Sequence, residues 1–135
     1  MLQGWLHKPD ARDRSLSVAF TDQRDRLRRI VRSALDGATY DASHDEAGGR
    51  LLVIDARRPD GRGVHVRFRG VRSSEMSGWP AAGATLRLVG VGYSEGLLRR
   101  LLLGRGPVAI ASRVSIDAGP SRLDIVCEDA EWWED

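Results

Sequence analysis

Apolar residues recur along this chain with two different periods, and each change of period marks an element. Between Thr21 and Gly37, the residues Leu27, Ile30, Val31, Ala34 and Leu35 fall at i, i+3, i+4, i+7 and i+8. That is one stripe of an α-helix. Thr21 has the chemistry of an N-cap, Asp22 suits the first turn, and Gly37 suits the position after the last turn. Arg24, Arg28, Arg29 and Arg32 then lie on the solvated side of the same helix. Upstream, residues 1–15 are polar, contain Pro9 and keep no period. They read as a loosely ordered lead-in, anchored by Trp5 and Leu6, to a single domain over residues 16–135. Leu16 to Phe20 also admits a short strand.

From Leu51 the period becomes two. Leu51 to Ala56 reads as a strand, and Arg58-Pro59-Asp60-Gly61 has turn chemistry, with proline presetting φ and glycine accepting a positive φ. Val64, Val66 and Phe68 then alternate with His65, Arg67 and Arg69, which predicts one buried and one wet face. Residues 51–69 are therefore expected to form a hairpin. Tyr40 to Arg50 and Val71 to Gly83 are too polar and glycine-rich to carry either period and read as loops. Leu86 to Val91 predicts a third strand, and Gly96 to Leu103 a short second helix with Ser94 as cap and Gly104 as stop. Val108 to Asp117 predicts one long strand or two short ones. After the turn at Ala118-Gly119-Pro120-Ser121, Leu123, Ile125 and Cys127 alternate with Asp124, Val126 and Glu128 to close a second hairpin. One helix followed by consecutive hairpins predicts an α+β fold. It has an antiparallel sheet, one main N-terminal helix packed on a face, and a short second helix.

Composition narrows the class. At 135 residues, 41% hydrophobic and 30% charged, the chain is one domain's worth and too apolar for disorder. A single cysteine, Cys127, excludes an intramolecular disulfide and a cysteine-built zinc cage. No stretch approaches the roughly 20 apolar residues that span a bilayer, and the N-terminus lacks the apolar run of a signal peptide. The expected location is cytoplasmic.

Several short motifs touch on chemistry, and none completes a site. Gly90-Val91-Gly92-Tyr93-Ser94-Glu95-Gly96 lies between a strand and a helix, where glycine-rich turns cradle phosphate. Its spacing departs from the dinucleotide fingerprint, and Glu95 would repel an anion. Asp41, His44, Asp45 and Glu46 gather oxygens and an imidazole without calcium-loop spacing, so a solvated polar segment is expected and no cofactor or metal. Cys127 lies on the apolar face of its strand, as a core residue does. Ser73-Ser74-Glu75 has no histidine nearby in sequence to activate a nucleophile. Leu97 to Leu103, apolar with two arginines, reads as a core-covering turn of helix rather than a membrane-surface element. The balance leans away from an enzyme.

Charge is unevenly placed. Val114 to Asp135 holds seven acids against Arg122 alone, a net of −6, while the other 113 residues hold twenty bases and twelve acids, a net of +8. The end of the acidic segment carries Trp132 and Trp133. Neighbours on a strand point to opposite faces, so one indole is expected to reach the core and the other to remain accessible. The candidate partner-binding residues are Glu128, Asp129, Glu131, Trp132 and Trp133. Their expected partner is a protein with a basic surface, or a second copy of this chain. The competing expectation is that the indoles lie against the chain's own arginines as cation–π pairs.

The order of the Phe20-Thr21-Asp22 entry, the strand Leu51 to Ala56, Val64 to Val71, two later strands and an acidic end resembles a group of small bacterial α+β proteins. That group includes many immunity proteins of polymorphic toxin systems. The resemblance implies a non-catalytic protein-binding module that binds a toxin and blocks it, and it carries no residue roles across. Two other classes stay open. One is a nucleic-acid-associated protein using Arg24, Arg28, Arg29, Arg32, Arg67 and Arg69, although it would lack the aromatic pairs that stack bases. The other is a small enzyme or ligand-binding domain with a pocket that sequence does not reveal.

Overall fold

A computed structural model describes residues 11–78, 80, 82–93 and 111–135, with side chains from Thr21 onward except that of Tyr93. Helix α1 (Ala11–Leu35) is followed by eight strands. These are β1 (Thr39–Glu46), β2 (Leu51–Arg57), β3 (Gly63–Arg69), β4 (Ser73–Ser77), β5 (Leu86–Tyr93), β6 (Ser112–Ala118), β7 (Ser121–Cys127) and β8 (Asp129–Glu134). All pairings between them are antiparallel, and they form two four-stranded sheets ordered β1-β2-β3-β8 and β4-β7-β6-β5. The α+β architecture of consecutive hairpins with one packed helix is thus the observed one. The expected short helix over residues 96–103, the residues 108–110, and the anchor residues Trp5 and Leu6 lie outside the described residues.

Hydrogen bonding joins the two sheets along two seams. On one side the chain before β1 meets the start of β5. Gly37 N–H donates to the Leu86 carbonyl at 2.9 Å, Leu86 N–H to that of Ala38 at 2.8 Å, and Tyr40 N–H to that of Ala84 at 2.8 Å. On the other side, β3 runs on into β4 and β7 into β8, so two bent strands cross from one sheet to the other. The corner between them keeps its bonds through Glu128 N–H to the Arg69 carbonyl (3.0 Å) and Arg72 N–H to the Val126 carbonyl (2.8 Å). Gly70 makes the bend at φ 62°, where a side chain would also run into that of Glu128. No residue but glycine fits there without displacing the corner.

The predicted core faces hold, except that Val126, expected on the solvated side of β7, is buried as well. Val64, Val66 and Phe68 of β3 are fully buried, as are Val114, Ile116 and Ala118 of β6 and Ile125 and Cys127 of β7. On the helix Leu27, Val31, Ala34 and Leu35 are buried and Ile30 is packed at the margin of one continuous core. The helix lies on β5 and β6 of one sheet and on β3 and β8 of the other. Gln23 fixes that position. Its side-chain amide donates to the Glu128 carbonyl at 2.7 Å and accepts from the Ser112 hydroxyl at 2.7 Å, tying the buried helix face to β6 and to the β7–β8 corner.

Three expectations are corrected. The helix starts at Ala11, so Thr21 is an interior position and not the N-cap. Residues 11–15 belong to it rather than to the lead-in, and Leu16 to Phe20 are helical. The Ala-, Arg- and Leu-bearing stretch before Thr21 has adequate helix propensity without a stripe of its own. Two supposed loops contain strands, β1 and β4. Both are edge strands, with one buried residue in β1 (Tyr40) and none in β4, so the period-two signal is nearly absent from them.

Two substitutions probe this core. Phe68→Ala should lower unfolding free energy by about 3–5 kcal/mol, because the ring is wholly enclosed and the site cannot collapse. Gln23→Ala should cost about 1–3 kcal/mol by stranding a buried hydroxyl and a carbonyl. Urea denaturation measures both. A loss below about 1 kcal/mol for Phe68→Ala would contradict the packing.

Candidate functional site

The acidic C-terminal residues form β8, and β8 is the edge of its sheet. It pairs with β3 in the register Val66 to Trp132, His65 to Trp133 and Arg67 to Glu131. Cross-strand partners share a face. Ala130 and Trp132 therefore lie on the inner face beside Phe68 and Val66, while Glu131 and Trp133 lie on the outer face beside Arg67 and His65. The five candidate residues are consequently divided between two faces. Glu128 stands apart at the corner against Gly70, its carbonyl held by Gln23.

Most of the acids are matched within the chain. Asp129 meets Arg26 of the helix at 3.2 Å and Arg69 of β3 at 3.7 Å. Glu131 accepts from Arg67 at 3.1 Å. Glu134 meets Arg58 at 3.1 Å and Arg62 at 3.0 Å. The basic body and the acidic end thus meet each other at the β3–β8 seam. Each pair is at least partly exposed, so solvent screening keeps its individual contribution small. Together they reward the register that puts acid opposite base and penalise a slip.

Both indoles are partly covered and partly open. Trp132 is 39% exposed and Trp133 is 38% exposed. The expectation that one would reach the core is not met, because among the described residues no further strand flanks β8 and Trp132 leaves the inner face at the sheet edge. The Arg58 guanidinium lies over Trp132 at 5.3 Å, and it also donates to the Ser33 carbonyl near the end of the helix at 2.8 Å. Arg67 lies over Trp133 at 5.1 Å, and His65 stacks on that indole with centroids 5.3 Å apart. The Nε atoms of Arg58 and Arg67 are buried without hydrogen-bond partners, and each guanidinium lies over an indole. The arrangement combines the two expectations: each indole carries one of the chain's own arginines and still presents about two-fifths of its surface.

Behind Trp133, His65 is clamped between two carboxylates, with Nδ1 2.6 Å from Asp55 and Nε2 2.8 Å from Asp135. The hydrogen bond to Asp55 raises its pKa above the ordinary histidine value, partial burial opposes this, and Asp135 adds to the rise. His44 stands 3.8 Å from the same Asp55 and 3.2 Å from Glu46. Among the described residues no group of histidines, cysteines and acids is placed to hold a metal ion. Cys127 is buried, and burial pushes its thiol up to about 12, with Asp129 and Glu128 adding to the rise. It is a neutral core residue at physiological pH.

The arginines proposed for nucleic acid do not form one face. Arg24 and Arg28 lie beside Asp25 on the helix, whereas Arg67 and Arg69 are on the outer face of β3 and paired with Glu131 and Asp129. Of the glycine-rich run, Gly90 and Gly92 lie within β5 and residues 94–96 lie outside the described residues, as does Leu97 to Leu103. Among the described residues no helix is long and apolar enough to cross a membrane. Sequence reading missed Arg58 and His65 as neighbours of the indoles, and Asp55 and Asp135 as the carboxylates that hold His65. The alternation of His65, Arg67 and Arg69 signalled their outward face, and nothing local signalled which strand would lie beside them. The sequence matches no protein-family model and no curated protein.

The clamp predicts a pH dependence. A histidine whose folded pKa is raised stabilises the fold fully below its unfolded value, near 6.5, and that stabilisation is lost as pH rises through the folded value. The melting-temperature difference between the wild type and His65→Gln should therefore shrink as pH rises from about 6 to about 8. A difference that stays constant across that range would show that the proton plays no part in the clamp.

Proposed function

We propose that this protein is a non-catalytic binding module that engages a protein partner through the β8 edge, with Trp132 and Trp133 as its anchors. The observation that carries the reading is the pair of adjacent, two-fifths-open indoles on an edge strand. They are two of the three large hydrophobic residues found exposed among the described residues, the third being Val89. Tryptophan is costly to leave in water and is enriched at interface hot spots. The arginines already on the rings hold the indoles in place, which reduces the entropy that binding would cost.

The edge supplies a second kind of contact. Asp135 N–H donates to the Gly63 carbonyl at 3.0 Å. Antiparallel alternation then turns the backbone groups of Trp133 and Glu131 toward β3 and those of Trp132 and Glu134 away from it. A partner able to place donors, acceptors and an apolar surface along this edge fits it. An inhibitor that blocks another protein by covering it, in the manner of an immunity protein, is the activity this surface suits best. Because Asp129, Glu131 and Glu134 are matched by Arg26, Arg69, Arg67, Arg58 and Arg62, a basic partner surface or a second copy would compete with those arginines. Charge would then act chiefly on encounter and orientation.

Affinity capture with the intact chain, followed by calorimetry against the purified partner, tests this. Trp133→Ala or Trp132→Ala should weaken binding by about 2 kcal/mol or more at the hotter of the two positions. Retained affinity in both variants would refute the site. Submicromolar binding to an oligonucleotide at physiological salt, with no protein partner, would move the function to nucleic acid instead.

A further inference from the structure

On the outer face of the β1-β2-β3-β8 sheet, one histidine joins three strands. Asp55 of β2 lies 2.6 Å from Nδ1 of His65, and Asp135, the residue after β8, lies 2.8 Å from its Nε2. The Asp135 carboxylate reaches the ring by lying over Gly63, in space that a β-carbon at that position would take. The same imidazole stacks on the Trp133 indole with the planes 24° apart. Counting donors shows what this arrangement requires. An imidazolium has two N–H groups and donates to both carboxylates, whereas a neutral imidazole has one and turns a lone pair toward the other acid. One of the two contacts is therefore lost with the proton. Asp55 keeps its contact, because it is the shorter and the Asp55 side chain is only 29% exposed. The Asp135 side chain is 68% exposed and has water to turn to.

The other charged groups on this face are engaged with one another. Arg57 of β2 stands 3.8 Å from Asp41 of β1, Arg67 of β3 holds Glu131 of β8 at 3.1 Å, and Glu46 of β1 meets His44 at 3.2 Å. His44 also stands 3.8 Å from the second oxygen of Asp55. Histidine is the side chain that changes charge near neutral pH, and of the two on this face it is His65 that touches both Trp133 and Asp135. We infer that His65 is a proton-operated latch on the β8 edge: its imidazolium holds Asp135 and the Trp133 ring in place, and loss of the proton frees both. The hydrogen bond to Asp55 raises the pKa of His65, burial opposes the rise and Asp135 adds to it, so the latch is closed at low pH and opens as pH climbs through the raised value. As a regulator of recognition the latch rests on the reading of β8 as a binding edge, while the latch itself is a property of the free chain. A partner anchored on Trp133 meets a held ring in the closed state and must order a freed one in the open state, so it binds more tightly when His65 is protonated.

Magnetic resonance of the isotopically labelled full chain, with no partner present, tests the latch between about pH 5.5 and about pH 8.5. A soluble gadolinium chelate serves as the probe of exposure. The His65 ring carbons, the Trp133 indole N–H and the Asp135 amide should shift with one shared midpoint. Above that midpoint the Asp135 amide should exchange about threefold or more faster than its intrinsic pH dependence accounts for, and the chelate should broaden the Trp133 indole signal more strongly. His65→Gln should abolish the shared midpoint and His44→Gln should keep it. Gly63→Ala, whose methyl group displaces the Asp135 carboxylate, should give the open-state signals of Trp133 and Asp135 even at low pH. Trp133 and Asp135 signals that ignore the His65 titration, a midpoint that survives in His65→Gln, or closed-state signals in Gly63→Ala would each overturn the latch. Because no partner enters the measurement, this outcome is independent of whether β8 binds a protein.

Discussion

The pairing of β8 with β3 joins the two halves of the chain's charge and fixes the surface of the sheet edge. Without it, Arg67 and Arg69 would face solvent alone, Arg58 would lose Glu134, and the inner face of β3 would lose the cover of Ala130. The register is set twice over. The inner face requires Ala130 and Trp132 beside Phe68 and Val66, and the outer face requires Glu131 beside Arg67. A slip of one residue would invert both faces together and place acids over the core. Individually weak surface pairs therefore act with burial, and burial supplies most of the energy.

The same pairing accounts for the exposed indoles. A strand at a sheet edge can be covered from one side only, so a large side chain on it is left partly open whichever face it takes. Arginines from the β2–β3 turn and from β3 occupy the covered part of each ring. A fully solvated indole pair would be an aggregation hazard, and a fully buried pair could not bind anything. In the proposed function, the two held, two-fifths-open rings on the edge strand serve as the recognition surface. Charge balance within the chain means that the proposed binding would draw its affinity mainly from the apolar contact.

Sequence legibility tracked burial. The hairpins at residues 51–69 and 112–127 were readable because Val64, Val66, Phe68, Leu123, Ile125 and Cys127 face one core and so impose a period of two. The helix stripe was readable for the same reason. Strands β1 and β4 were not, because an edge strand such as Ser73–Ser77 is held by backbone bonds to its neighbour and needs little apolar side chain. The charge asymmetry and the tryptophans were visible at once. That the basic counterpart of the acidic end lay within the chain was not visible, since β3 and β8 are about sixty residues apart and no local pattern encodes a non-local pairing.

Amide hydrogen exchange across β8 tests the central claim most directly. If β8 is an edge strand registered on β3, the amides of Glu131 and Trp133 are protected by their bonds to β3, and those of Trp132 and Glu134 exchange orders of magnitude faster. Protection that alternates in this sense is the predicted result. Uniformly fast exchange from Asp129 to Asp135, or alternation in the opposite sense, would contradict the account.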